Sequence, residues 1–406
     1  MKILTKTNIA CYLAGAAALS AAQTYNGFKE KTIANDKGEL VYSTQTQESI
    51  EGITKRFLKS FAYFAAAPYT FPQFIASHAV FPATIYGSIR SIAPYSPSIQ
   101  KACDYFKSQG YNFQEDIEGG LNSLKWAMDY LKNYNDEIDQ MENAKRIKLD
   151  IDGCLIDGIK IHPTDNLKPA LYTVITLGNG ETYETLPLGQ VEELMAKLNC
   201  GVILYNHPGV LDSGGFFNGG VGTPNKMIEA HQAILDYATN IPGVEKVLDI
   251  ARSISGGVQG EALREVPESL KDKKLLLLRL VSFSSLAKTA EDLIGESNKT
   301  MGSLASIAVR FFGWNFRGQV APETNQIVLQ KGWNSPKRGF NTTFPDGIIS
   351  EEAALSKDPS VLPEQCLLLH TIEHNDISGA LCAAPKFQTE VAKIFARIIQ
   401  ELEKLN

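Results

Sequence analysis

Lys246-Val-Leu-Asp-Ile-Ala-Arg-Ser-Ile-Ser-Gly-Gly-Val258 is the stretch on which the fold turns. Residues 246–250 form a short apolar run of strand length. A knot of small residues follows (Ala251, Ser253, Ser255, Gly256 and Gly257), and residues 256–264 have helical composition. A strand, a tight turn and a helix in that order lift the residue at the turn clear of the sheet edge. The small neighbours are required because the strand and helix backbones nearly touch there. Ser253 stands at that turn and is the candidate reactive side chain.

Working outward, the chain keeps alternating short apolar runs with helical segments. Residues 172–177, 202–206, 275–281, 326–329 and 365–369 read as further strands. Residues 188–198, 224–238, 256–264 and 385–405 read as helices, with Thr223-Pro224 supplying a cap and a proline at the first helical position. Such alternation predicts an α/β fold, a mostly parallel sheet covered on both faces. Ahead of it, residues 146–162 alternate about Asp152-Gly153, a hairpin turn signal.

Five other places carry chemistry or its supports. A strand ends in Gly178-Asn179-Gly180, and residues 202–215 run from a strand into a glycine-rich loop. Residues 279–286 form a strand and the loop after it. Asp346 lies in Phe344-Pro-Asp-Gly-Ile-Ile-Ser-Glu-Glu-Ala353, and His370 and His374 follow the strand at 365–369. Together with the turn at Ser253, these landmarks resemble, in order, those of the α/β-hydrolase superfamily of lipase- and esterase-like serine hydrolases. The resemblance spans residues 145–406. The elbow departs from Gly-x-Ser-x-Gly in having Ala251 and Ser255 at the glycine positions, both small. Leu177 replaces a usual histidine, where the chemistry needs only a backbone N–H. His-Pro, at 207–208, replaces an aromatic–arginine pair.

The resemblance implies a catalytic triad of Ser253 as nucleophile, His374 as base and Asp346 as the acid that orients it, in the superfamily's chain order. His374, followed by Asn375, matches the family's late His-Asn position, whereas His370 reads as structural. An oxyanion hole is expected from Gly178, Asn179 and the N–H of Ile254. No cofactor is implied. No metal is expected, because His207 and His231 lack the His-Glu-x-x-His spacing and no Cys/His cluster appears. The glycine run at 214–222 lacks the Gly-Lys-Ser/Thr ending of a phosphate-binding loop.

The remaining residues differ in kind. Residues 23–144 form a hydrophobic extension expected to be mainly helical. Its segment Phe57–Ile92 is rich in Phe, Tyr, Ala and Ile and is interrupted by Pro68, Pro72 and Pro82. That segment either packs on the hydrolase domain or makes a peripheral membrane contact. Residues 1–22 fit a secretory signal peptide, Lys2 and Lys6 preceding a short apolar run, or else an Ala-rich helix. The first reading implies a secreted or membrane-associated protein and the second a cytoplasmic one. A formal net charge of −6 and the lack of a basic stripe exclude a nucleic-acid partner. The expected substrate is a small-molecule or lipid ester or thioester. The alternative is a non-catalytic binding or scaffold protein on the same fold, motivated by the substituted elbow and Leu177.

Overall fold

The computed structural model describes residues 31–34, 40–43, 80, 134, 136–151, 154–165, 168–179, 181–213, 222–322, 324–332, 344, 348–370 and 388–405. Residues 1–22, the apolar segment 57–92 except Val80, the turn 152–153, Gly180, the glycine run 214–221, Asp346 and His374 therefore lie outside the description. The chain divides into two compact units. One comprises Met1–Glu142, Ile147–Asp157 and Asn206–Gly222; the other comprises Asn143–Arg146, Gly158–Tyr205 and Thr223–Asn406.

In the first unit, β1 (Lys31–Ala34) and β2 (Leu40–Ser43) form an antiparallel ribbon with Lys31 opposite Ser43. This part of the extension is thus strand, although the region reads as mainly helical. Four-residue strands are too short for alternation to register against the helical background. Residues 136–140 are helical, and Ile138 is buried.

An eight-stranded sheet contains β3 (Ala144–Ile151), β4 (Cys154–Ile161), β5 (Leu171–Thr176), β6 (Gly201–Tyr205), β7 (Lys246–Arg252), β8 (Lys274–Leu280), β9 (Asn325–Lys331) and β10 (Cys366–Leu369). Its order is β3-β4-β6-β5-β7-β8-β9-β10. All pairs from β6 to β10 are parallel, while β4 runs antiparallel to β6. Counted within the sheet, the strands run 1-2-4-3-5-6-7-8, and the mostly parallel α/β sheet read from the sequence is present. The strands expected at 172–177, 202–206 and 246–250 are adjacent and parallel, each within a residue or two of its predicted bounds.

The strands are apolar because parallel strands are covered on both faces. Every residue of β6 is buried, as are the last six of β8. Close approach fixes one glycine: a Cβ at Gly201 would lie 2.5 Å from the ring of Tyr172 on β5. The helices of the second unit are α1 (Leu188–Leu198), α2 (Pro224–Thr239), α3 (Ile254–Ala262), α4 (Leu286–Gly295), α5 (Lys299–Phe311) and α6 (Gln388–Lys404). Thr223 caps α2 by accepting the Lys226 N–H, with Pro224 at the first position as its sequence predicts. The helix at 256–264 begins two residues earlier, at Ile254. The pair α4 and α5 has no counterpart in the sequence reading.

One polar chain crosses the interior where α2 meets the sheet. The Tyr205 hydroxyl lies 2.7 Å from His231 Nδ1, and His231 Nε2 lies 2.8 Å from Asp249 Oδ2. All three residues are buried. His231 is thereby committed to structure, and burial raises the Tyr205 pKa well above that of an ordinary phenol.

Candidate active site

The strand β7 delivers Ser253 and the helix α3 leaves from it. Ser253 is the N-cap of α3, with φ 52° and ψ −118°. That conformation belongs to the region glycine favours, and for a serine it stores about 1–3 kcal/mol of strain. The neighbours hold it there. Ser253 N–H donates to the Leu280 carbonyl (2.9 Å), and its own carbonyl accepts from Gly256 N–H (3.0 Å) and from Ser282 Oγ (3.1 Å). Ser253 is 8 % exposed.

A second strained residue stands beside it. Arg252 and Leu280 are register partners at the ends of β7 and β8, so Ser253 and Val281 leave the sheet together. Val281 has φ 39°, an outlier for a β-branched residue, and donates its N–H to Leu329 on β9 (2.8 Å). The turn at Val281 brings Ser282 back onto the Ser253 carbonyl. Backbone strain of this kind clusters at functional sites, where the surrounding structure over-determines it.

The small residues have stated tasks. A Cβ on Gly256 would lie 2.7 Å from Ser282 Cβ, and one on Gly257 would lie 2.8 Å from Phe316 Cβ. Ser255, at the position where the resembled motif has glycine, is fully buried and donates its hydroxyl to the Leu177 carbonyl. The substitution therefore ties the elbow to the end of β5.

That end of β5 is the expected oxyanion loop. Gly178 faces Ser253 closely: a Cβ there would lie 3.5 Å from Ser253 Cβ. Asn179 is exposed. Ile254 opens α3, where an N–H has no acceptor within its own helix. Gly178 N–H, however, donates to Glu181 Oε2 at 2.9 Å, and the same carboxylate pairs with Arg252 Nη1 at 2.5 Å. Sequence reading passed over Glu181 and Arg252. Arg252 adjoins Ser253 in the chain, but nothing in the spacing announces a carboxylate that bridges it to Gly178.

Arg279 was also missed as a site element. It is fully buried on β8 and donates to the carbonyls of Gly256 and Gly318, with Gln326 Oε1 at 3.4 Å. Burial lowers its pKa to about 9, so it stays protonated at neutral pH. This cation clamps the first turn of α3 to the loop after α5. Gln259 Nε2 adds a bond to the Asp249 carbonyl (3.1 Å), securing the same helix to β7.

Other sequence-predicted residues fall elsewhere. Asp346 and His374 are outside the described residues. His370 follows β10 directly and is exposed; its N–H donates to Glu390 Oε1 on α6 at 2.8 Å. Three strand spacings separate β10 from β7, about 14 Å at about 4.8 Å each. A residue at the very end of β10 is thus set well to the side of Ser253.

An apolar cavity of about 20 Å³ borders the elbow, lined by Leu177, Leu186, Val191, Leu194, Ile250 and Leu280 among others. It has room for about one water, and an acyl chain does not fit in it.

Comparison with known proteins adds likenesses of fold. An α/β hydrolase from Vibrio vulnificus is 14 % identical over 50 % of this chain and 68 % of its own, with a TM-score of 0.37. A Pyrococcus furiosus esterase is 13 % identical, covering 64 % of this chain and 90 % of its own at a TM-score of 0.42. Esterases from Rhizomucor miehei give 12 %, 65 % and 85 %, with a TM-score of 0.43. No curated protein matches the sequence. A family profile described as Chlamydia CHLPS protein (DUF818) does match it, over residues 99–325. That match takes in more than half of the chain, including Gly178, the turn at Ser253 and Arg279, and the chain belongs to the Chlamydia CHLPS protein (DUF818) family.

Proposed function

We propose that the chain is a serine hydrolase that cleaves an ester or thioester, of a lipid in the reading we favour, with Ser253 as nucleophile, His374 as base and Asp346 orienting the base. One observation carries the reading. Ser253 is held at φ 52° and ψ −118° between a parallel strand and a helix, beside a second strained turn. A serine with no chemical task gains nothing from a conformation that glycine adopts without strain.

In this reading, Ser253 Oγ attacks the substrate carbonyl carbon while His374 takes its proton. The carbonyl π pair moves onto oxygen, where Ile254 N–H and the loop at 178–179 receive the charge. The tetrahedral intermediate collapses, the bond to the leaving group breaks, and His374 returns the proton to that group. Water then attacks the acyl-enzyme by the same route, restoring Ser253. The lateral offset of His370 supports His374: a base four residues further along the chain has the length to reach across to β7.

Labelling with a fluorophosphonate probe tests the reading. Stoichiometric labelling that is lost in Ser253→Ala and in His374→Ala is expected. A folded protein that never labels refutes it. The Glu181 carboxylate on Gly178 N–H favours a second reading, a non-catalytic binding protein on this fold, which the same unlabelled outcome would support.

A further inference from the structure

The hairpin α4–α5 is assembled the wrong way round for a helix packed on a soluble domain. The face of α5 turned inward carries Gly302, Ser306 and Val309. A Cβ on Gly302 would stand 2.6 Å from Gly295 Cα, so the two helices meet backbone to backbone. The large apolar side chains point the other way. Met301 is 52 % exposed, Leu304 53 %, Ile307 61 % and Phe311 80 %. At 3.6 residues per turn these four share one face, together with Ala308, along about 15 Å of helix. Four large apolar residues in a row on one helix face exceed the scatter of single exposed hydrophobics that any surface shows.

Charge indicates what covers that face. α5 carries no acidic residue, although the chain as a whole has a formal net charge of −6. Its cations, Lys299 and Arg310, lie near its two ends on one flank of the apolar stripe by helical spacing. The acids nearby lie off α5: Asp292 on α4 is engaged by Lys288 and Ser350, Glu291 and Glu296 belong to α4 and the turn after it, and Glu352 lies near Lys288. A second copy docking through the same face would set cations of α5 against cations, with no carboxylate on either helix to meet them. A layer of anionic headgroups over acyl chains matches both features, since long basic side chains reach headgroups while the stripe enters the apolar boundary. Among the described residues no helix is long and apolar enough to cross a membrane, which fits a helix lying in the interface rather than through it.

We infer that α5 is a membrane-contact helix that lays its Met301, Leu304, Ile307 and Phe311 face into the surface of an anionic lipid bilayer. The inference does not depend on Ser253 being reactive. It is tested with the full chain and two kinds of vesicle, phosphatidylcholine alone and phosphatidylcholine mixed with phosphatidylserine, by flotation. The chain is expected to float with the mixed vesicles and to be released by salt, as electrostatic attraction to a surface requires. The triple variant Leu304→Ser, Ile307→Ser, Phe311→Ser should bind them at least about tenfold more weakly. Its three residues are solvent-facing, so its melting temperature should match that of the parent. Lys299→Glu with Arg310→Glu, a second variant that leaves the apolar stripe intact, should remove the preference for the anionic vesicles. Triple-variant binding equal to that of the parent overturns the inference, as does a parent that binds neither vesicle. A parent dimer that the triple variant converts to monomer, without vesicle binding by either, overturns it in favour of a second copy.

Discussion

The elbow and the α4–α5 hairpin belong to the same unit and invert one another. At the elbow, strained and polar groups are buried and the helix that leaves it is pinned from three sides, by Arg279, Gln259 and Ser282. On the hairpin, apolar bulk faces water and the inward face carries mostly small residues, Gly302, Ser306 and Val309 on α5 and Ala287 and Thr289 on α4. Tight packing in the first case fixes the position of one serine. Tight packing in the second, through Gly302 and Gly295, fixes only the pitch of two helices and leaves an apolar face outward. Close-packed small residues therefore have no single meaning; what the large residues around them do decides it.

The comparison breaks most sharply at Ser253. Ser253→Ala is expected to lower ester hydrolysis at least about 10³-fold, the scale on which a lost nucleophile acts. Ser253→Gly should be equally inactive, yet it should melt higher than Ser253→Ala, by about 1 kcal/mol of relieved strain, because glycine alone accepts φ 52° freely. A thermal melt alongside a hydrolysis assay checks both. A Gly variant that melts lower would show that Ser253 is not strained.

Arg279 comes next. Arg279→Met keeps much of the volume but leaves the Gly256 and Gly318 carbonyls without their donor inside the core. A cost of about 3 kcal/mol is expected in urea unfolding, from two buried acceptors unsatisfied at once. Hydrolysis should fall as well, because the first turn of α3 carries the Ile254 N–H. Full activity in a destabilised variant would separate the clamp from the site.

These two residues also show what was and was not legible. The succession of strands and helices along the chain and the place of Ser253 could be read because apolar runs, turn residues and motif order are local signals that accumulate along the chain. Arg279 was not, since its partners lie 23 and 39 residues away, at Gly256 and Gly318, and are carbonyls that carry no sequence mark. Glu181 and Arg252 were missed for a similar reason: a pair 71 residues apart leaves no periodicity. The hairpin escaped because its apolar positions imply burial, and α5 exposes them instead. Its true inward signal, Gly295 with Gly302, looks in sequence like a helix breaker.

Gly302→Val sharpens the hairpin side. A side chain at a position where even a Cβ would sit 2.6 Å from Gly295 Cα must push α5 off α4, for about 2 kcal/mol. The elbow is held by other contacts, so hydrolysis of a soluble ester should persist at temperatures where the variant is folded. Loss of both would mean that the hairpin and the elbow fold as one device. A smaller and opposite effect is expected from Glu181→Ala. Removing the carboxylate releases Gly178 N–H from its present acceptor, and fluorophosphonate labelling of Ser253 should quicken by about threefold to tenfold, at most about 1.4 kcal/mol. Slower labelling would assign Glu181 to holding the loop in shape.

The smallest effect lies at the entrance to α5. Asn298 is its N-cap, with extended backbone, and its Oδ1 accepts the Met301 N–H at 3.1 Å. Asn298→Ala removes one of the acceptors that the first turn of a helix cannot supply for itself. About 1 kcal/mol is expected, and it should appear as faster hydrogen exchange across 299–302 rather than as a shift of the whole unfolding transition, because the cap is exposed and the turn frays locally. Exchange at the elbow amides of Ser253 and Gly256, which are tied to β8 and to one another, should not change. If it does, loosening of the hairpin reaches the elbow, and the contrast between a rigid site and an independently held surface helix fails.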